Sequence, residues 1–296
     1  MRSAVFPGQG NQFVGMGKDL HERFSFAKER YEIASEITGV DIANISHTGP
    51  SEKQKETRNT QSITYVLSTT LFDLLGAAFD TLAGHSIGEY AALYAAKVFS
   101  FEDGMKIVKK RGELMTQFNF DEPSLVAVIG VDKNEIRAFC KSIDNRIEMA
   151  LLNAPGNYVV GGHPEMIKRY WDSIPGKKTK LSVSGPFHTS LYGGIAEEFR
   201  AYLKQFDFGN PEVDVFSNYR ARPHNRETLI DNLVHQLWNP VQWELTIERM
   251  PSDIFFEIGP GQSLNKMIKR IKPDAETFTV SDVESLAKAK TLLNKV

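Results

Sequence analysis

Gly84-His85-Ser86-Ile87-Gly88-Glu89-Tyr90 is preceded by Asp80-Thr81-Leu82-Ala83 and followed by Ala91-Ala92-Leu93-Tyr94-Ala95-Ala96. The first flank is a short extended run. The second is a strong helix former. The glycine-spaced serine therefore falls at a strand-to-helix turn, the context of a nucleophile elbow on an open α/β sheet. A serine there must take a strained backbone conformation, so that its hydroxyl stands clear of the strand. Glycines two residues before and two after leave room for the tight turn. The helix behind aims its N-terminus at the serine, and the free N–H of Ile87 can help to bind an oxyanion. Three fixed residues in five match by chance often; the strand before and the helix after carry the reading.

Around this turn the chain reads as alternating strand and helix. Residues 3–6 form a buried first strand, closed by the glycine-rich turn Pro7-Gly8-Gln9-Gly10-Asn11-Gln12. A turn after the first strand of such a sheet lies at its carboxyl edge, where ligands bind. Its spacing is not that of a dinucleotide-binding loop. Helices are expected over residues 16–24 and 27–38, a polar irregular stretch over 41–58, and a long helix over 62–75 that leads to the elbow strand. Ser100 and Asp103 form an acidic capping box for a helix carrying Lys109-Lys110-Arg111-Gly112-Glu113-Leu114-Met115. By spacing alone the three cations read as a solvated face. Gly112, unfavourable inside a helix, suggests the close approach of another element.

The middle of the chain changes character. Strands over 124–130, 147–152, 158–161 and 178–183 alternate with helices over 133–143 and 165–173. That βαββαβ order is the ferredoxin-like unit. A helix over 191–205, a strand over 213–217, a helix over 229–237, an extended or loop segment at Val241-Gln242-Trp243, a buried strand over 254–257 and a closing helix–strand–helix follow. The fold class expected is α/β: a hydrolase-like parallel-sheet large domain, residues 1–123 and 190–296, with an inserted ferredoxin-like small domain, residues 124–189.

Composition bounds the function. The chain has 296 residues, 41% hydrophobic and 24% charged, with a net charge of −2. This is an ordinary globular balance with no nucleic-acid footprint. Cys140 is the only cysteine, which excludes an internal disulfide and a cysteine-rich zinc site. Residues 1–6 hold no long apolar run, so no signal peptide is expected, and no apolar run approaches membrane-spanning length. A cytoplasmic protein without membrane or metal is expected.

A serine nucleophile needs a base. His85, next to Ser86, would point to the opposite side of the strand end. His21, His47, His163, His224 and His235 read as surface or structural residues. His188 follows Gly185-Pro186-Phe187 where the chain re-enters the large domain, and it comes after the serine in sequence, as in α/β-hydrolases. No Asp or Glu stands out as a third member. A Ser86–His188 dyad, with a backbone carbonyl orienting the imidazole, is the expected arrangement.

Six blocks in order resemble the malonyl-CoA:acyl carrier protein transacylases. They are Phe6-Pro7-Gly8-Gln9-Gly10-Asn11-Gln12, the elbow, Lys110-Arg111-Gly112-Glu113-Leu114-Met115, Phe187-His188, Gln236-Leu237-Trp238-Asn239-Pro240-Val241-Gln242-Trp243, and Glu257-Ile258-Gly259-Pro260-Gly261. The resemblance runs almost end to end and extends to stand-alone acyltransferases that serve polyketide synthases. It implies Ser86 as nucleophile, His188 as base, and the backbone N–H groups of Gln9 and Ile87 as oxyanion hole. It implies Arg111 as partner of the free malonyl carboxylate, which lifts Arg111 from the solvated face. The backbone carbonyl of Gln242 would orient His188, and Gln61 and Asn153 would line the cleft. Phe187 before His188 resembles the malonyl-selective members. Asn11 and Ile87 depart mildly, where serine and leucine are usual.

The expected reaction is ping-pong. Malonyl passes from malonyl-CoA to Ser86, then to the phosphopantetheine thiol of an acyl carrier protein, in fatty acid or polyketide synthesis. No bound cofactor is called for. An acyl hydrolase of the same fold is the alternative, and Arg111 speaks against it. A non-catalytic docking subunit would leave Ser86 and His188 without purpose.

Overall fold

A computed structural model describes residues 1–294. Among the described residues nine strands run in chain order: β1 (Arg2–Phe6), β2 (Thr81–Gly84), β3 (Leu125–Ile129), β4 (Ile147–Ala154), β5 (Asn157–Gly162), β6 (Lys177–Lys180), β7 (Asp214–Phe216), β8 (Ile254–Ile258) and β9 (Glu276–Val280). They form two sheets. The first, in order β7-β2-β1-β8-β9, is parallel throughout. Parallel strands are covered by helices on both faces, and β1, β2 and β8 are almost wholly buried. The second, in order β4-β5-β3-β6, is antiparallel. With helices Lys133–Ser142 and Pro164–Arg169 between its strands, it is the ferredoxin-like unit expected. Its core of Val126, Val128, Ile136, Ile147, Val160 and Ile167 is separate from that of the parallel sheet.

Register fixes the site. Phe6 at the end of β1 pairs with Gly84 at the end of β2, and His85 donates its backbone N–H to the Phe6 carbonyl at 2.9 Å. The Pro7–Gln12 turn and the elbow thus leave the sheet side by side at its carboxyl edge. The glycines flanking the serine are required by space: a Cβ on Gly84 would lie 1.9 Å from the Gly88 carbonyl carbon, and one on Gly88 would lie 2.1 Å from the Phe6 oxygen. Gly112 admits the neighbouring helix in the same way, since a Cβ there would lie 2.9 Å from Arg58 Cα.

Residues 41–58 are not irregular. Helices Ile42–His47 and Ser51–Lys55 occupy them, and the long helix runs Thr57–Leu75. Asp41 caps the first by accepting the Asn44 N–H at 2.8 Å, while Ile42 and Ile45 turn into the core. The helical period is too short there to read from sequence. The last strand of the small sheet is Lys177–Lys180 rather than 178–183, and beyond it Leu181 and Val183 line the site. Trp243–Arg249 is a helix; Pro240 and Val241 are extended ahead of it, and the helix begins two residues later. Val241 bridges Leu151, with Leu152 N–H to Val241 O at 2.9 Å and Val241 N–H to Ala150 O at 3.0 Å. That bridge ties β4 of the small sheet to the large body.

Candidate active site

Ser86 has φ of 53°, the left-handed conformation that a side chain adopts only when its surroundings impose it. They do so from both ends. Asn218 Oδ1 accepts the Ser86 N–H at 2.6 Å, and Gln236 Nε2 donates to the Ser86 carbonyl at 3.0 Å. Among the neighbours in the elbow, Ser86 alone is partly exposed; His85, Ile87 and Gly88 are buried. Its Oγ lies 2.8 Å from His188 Nε2 and 3.1 Å from Arg111 Nη2.

His188 is also held at positive φ, 64°. Its Nδ1–H donates to the Gln236 carbonyl at 2.7 Å, and its backbone N–H donates to the Leu237 carbonyl at 3.2 Å. Both carbonyls lie in the last turn of helix Leu229–Trp238, where acceptors are left over. The Gln236 carbonyl would ordinarily bond residue 240, which is Pro240 and has no N–H. The Leu237 carbonyl would bond Val241, whose N–H goes to Ala150 instead. Asn-Pro-Val thus frees two acceptors for His188. With Nδ1 donating, Nε2 is the basic nitrogen and faces Ser86. Burial first, and the Arg111 cation second, push the imidazole down to about 3, so it is neutral and able to accept a proton.

The expectation for Gln242 is corrected here. Its carbonyl accepts the Thr246 N–H at 2.9 Å as the start of the next helix and is not free for His188. Gln236, six residues earlier in the same block, provides the acceptor.

Arg111 is fully buried. Nη2 donates to Ser86 Oγ and, at 3.1 Å, to Gln236 Oε1. Its Nε and Nη1 have no hydrogen-bond partner. The Tyr90 ring lies 5.4 Å from the guanidinium carbon, and a ring face is a favourable place for a desolvated cation. Burial lowers the guanidinium pKa from its usual range. Two unfilled N–H groups on a buried arginine are expensive unless something completes them.

Gln9, Gln61, His85, Ser86, Ile87, Arg111, Phe187 and His188 line one cavity of about 80 Å³, together with Met115, Leu125, Leu151, Leu181 and Val183. Gln9 and Ile87 have backbone N–H groups without an acceptor among the described residues. Gln61 donates to Met115 Sδ at 3.2 Å, while its Oε1 is buried and unpaired. Phe187 stacks tilted on Tyr192 at 5.7 Å. Asn153 is placed differently from the expectation. Its Oδ1 lies 3.0 Å from His85 Nε2, behind the cavity, and it does not line it. His85 packs edge-on to Trp243, and burial pushes it down to about 4.

Sequence reasoning missed the support behind these groups. His224, read as a surface residue, is buried and lies 2.6 Å from Glu89. Asn218 had no sequence signal at all. Gln236 lay in a quoted block but without a role. Among the described residues no group of three or more His, Cys, Asp or Glu could hold a metal, and no helix is long and apolar enough to cross a membrane.

The chain matches the family described as the acyl transferase domain over residues 4–288. It is 38% identical over 295 residues to a malonyl CoA-acyl carrier protein transacylase of Staphylococcus aureus, covering 95% of this chain and 96% of that one. An acyl carrier protein S-malonyltransferase from Vibrio cholerae superposes with a TM-score of 0.92 at 31% identity, over 97% of this chain and 99% of the other. A malonyl-transacylase solved in complex with its type II polyketide synthase acyl carrier protein superposes with a TM-score of 0.94 at 30% identity, over 98% and 99% of the two chains.

Proposed function

This chain belongs to the acyl transferase domain family, and from that we infer that it is a malonyl-CoA:acyl carrier protein transacylase. It moves malonyl from malonyl-CoA to the thiol of an acyl carrier protein. The observation that carries the choice of acyl group is Arg111: a fully buried cation, 3.1 Å from the Ser86 hydroxyl, with two N–H groups unfilled. A guanidinium fork matches a carboxylate bidentately. A hydrolase acting on neutral acyl chains has no use for it, and the relatives are named as transacylases or an S-malonyltransferase. The small cavity has room for a short acyl group.

Ser86 Oγ attacks the thioester carbon as His188 Nε2 takes its proton. The carbonyl oxygen becomes an oxyanion, held by the N–H groups of Gln9 and Ile87. Collapse breaks the C–S bond; His188 returns the proton to the departing CoA sulfur, leaving a malonyl-serine ester. The carrier's phosphopantetheine thiol then gives its proton to His188 and attacks the ester. Ser86 leaves, recovering that proton. The substrate's own carboxylate assists: paired with Arg111, it offsets the cation that helps to depress His188, so the base strengthens when the right acyl group is seated. The reaction so written needs no bound cofactor and suits a cytoplasmic setting. Residues 1–123 and 190–296 act as the catalytic domain that carries Ser86 and Arg111, and the inserted 124–189 adds an apolar wall and, near its end, His188.

Intact-protein mass measurement after brief exposure to malonyl-CoA tests this. Wild type gains one malonyl group and loses it to added holo-carrier protein. Ser86→Ala folds and gains none. An adduct on Ser86→Ala would place the nucleophile elsewhere, and release from wild type as free malonate rather than onto the carrier would make the protein a hydrolase.

A further inference from the structure

Behind the reacting groups lies a buried carboxylate that the transfer steps do not touch. Glu89 sits in the first turn of helix Gly88–Ala95 and is fully buried. Its carboxylate receives three donors: His224 Nε2 at 2.6 Å on Oε1, and Gln236 Nε2 at 2.5 Å and the Asn218 N–H at 3.1 Å on Oε2. Asn232 Nδ2 lies 3.3 Å from His224 Nδ1, and Arg220 Nε fixes the Asn232 amide by donating to its oxygen at 3.0 Å. The His224 ring therefore carries its proton on Nε2, aimed at Glu89.

Both amide residues that reach Glu89 also hold the reacting groups. Asn218 accepts the Ser86 N–H at 2.6 Å and donates to the Gly84 carbonyl at 2.5 Å. Gln236 accepts from Arg111 at 3.1 Å through Oε1 and donates to the Ser86 carbonyl at 3.0 Å through Nε2. An amide side chain presents oxygen on one side and NH₂ on the other. A carboxylate takes only donors, so Glu89 compels Gln236 to turn Nε2 toward it and Oε1 toward Arg111. Without Glu89, the opposite setting would put an NH₂ group against a guanidinium.

The indirect arrangement has a consequence for charge. Among the described residues Arg111 makes no ion pair. A carboxylate in direct contact would fill its fork. Glu89 instead supplies negative charge one amide away, and Nε and Nη1 stay open.

We propose that Glu89, fixed by His224, is a positioning residue for acyl selection: through the Gln236 amide it holds Arg111 with two N–H groups free for the acyl carboxylate. This rests on the malonyl reading above.

The test compares kcat/KM for malonyl-CoA and acetyl-CoA in wild type, Glu89→Gln, His224→Gln and His224→Leu. Glu89→Gln keeps the size and removes the carboxylate. Malonyl turnover is expected to fall about 10- to 100-fold and acetyl turnover less than about 3-fold, because only malonyl uses the Arg111 fork. His224→Gln keeps an N–H donor and should retain wild-type selectivity, whereas His224→Leu should shift it in the same direction as Glu89→Gln. A folded Glu89→Gln that loses both substrates in parallel, or keeps its selectivity, overturns the proposal. If Glu89→Gln does not fold, the His224 pair decides: selectivity kept by Gln and lost by Leu supports it, and equal behaviour overturns it. A wild type that takes no malonyl from malonyl-CoA fails the functional reading itself. A malonyl-selective wild type whose variants stay equally selective fails only this inference.

Discussion

On the parallel-sheet side of the cavity, Ser86, Arg111 and His188 are each fixed by hydrogen bonds to Gln236, and Ser86 also by Asn218. On the other side, Leu125, Leu151, Leu181 and Val183 meet the same cavity with hydrocarbon alone. The first wall is expensive. It holds two non-glycine residues at positive φ, and it buries a cation and a carboxylate. Strain of that kind lasts only where surrounding structure over-determines it, and the network behind the elbow is that structure. The second wall needs no particular geometry beyond excluding water, which strengthens every electrostatic interaction inside. Position is demanded on one side and bulk on the other.

That contrast predicts unequal sensitivity to substitution. The largest effect should come from Arg111. Arg111→Ala removes both charge and fork, and a charge-assisted pair contributes about 1.5–3 kcal/mol. Malonyl kcat/KM should drop by about 10- to 150-fold. Acetyl turnover should hold or rise, since that substrate has no carboxylate to pair. Arg111→Lys keeps the charge without the bidentate geometry and should fall between. Steady-state kinetics with both thioesters decide it; a parallel fall would make Arg111 a support of the fold rather than a selector.

A smaller effect is expected from the apolar wall. Leu181 is only half-buried, and Leu181→Ala should change acylation by less than about 3-fold. It should raise the share of malonyl-serine lost to water, scored as free malonate against acylated carrier. A loss of acylation as large as that of Arg111→Ala would abolish the distinction between the walls.

The smallest effect should be that of mild acid on acylation. An ordinary histidine base fails as pH falls through about 6.5. His188 is held down to about 3, by burial first and by Arg111 second; burial persists when a malonyl carboxylate pairs Arg111, so single-turnover acylation should stay level from pH 7 to about 5. Stability should not. A histidine whose folded pKa is depressed contributes stability that is fully present above its unfolded value. That stability is lost as pH falls from about 6.5 through the folded value. His85, held to about 4 by burial, acts in the same direction. Urea midpoints should fall between pH 6.5 and 4 while the acylation rate does not. An acid limb in acylation centred near 6.5 would show that His188 is not shielded in this way.

How much was legible follows the same division. The elbow could be read because its demands are local: a strained serine, two glycines within five residues, a strand before and a helix after. The βαββαβ order was legible because hydrophobic period and turn residues are local too. The helices in 41–58 were missed because each is under two turns, too short to show a period. Gln242 was chosen over Gln236 because both lie in one block, and only helix geometry shows which carbonyl proline sets free.

The sequence by itself determined the two-part α/β architecture, the nucleophile's turn, the histidine that follows it, and the resemblance that assigned Arg111 to an acyl carboxylate. These are matters of residue type and short-range order. Only the tertiary structure decided what holds them. Glu89 comes from the elbow helix, Asn218 and His224 from the one connection between Asp214–Phe216 and Leu229–Trp238, and Gln236 from that last helix. Their hydrogen bonds span more than a hundred residues, from Ser86 to Asn218 and from Glu89 to Gln236. A buried polar group is satisfied by whatever the fold brings within about 3 Å. That proximity is set by packing, and no pattern along the chain encodes it.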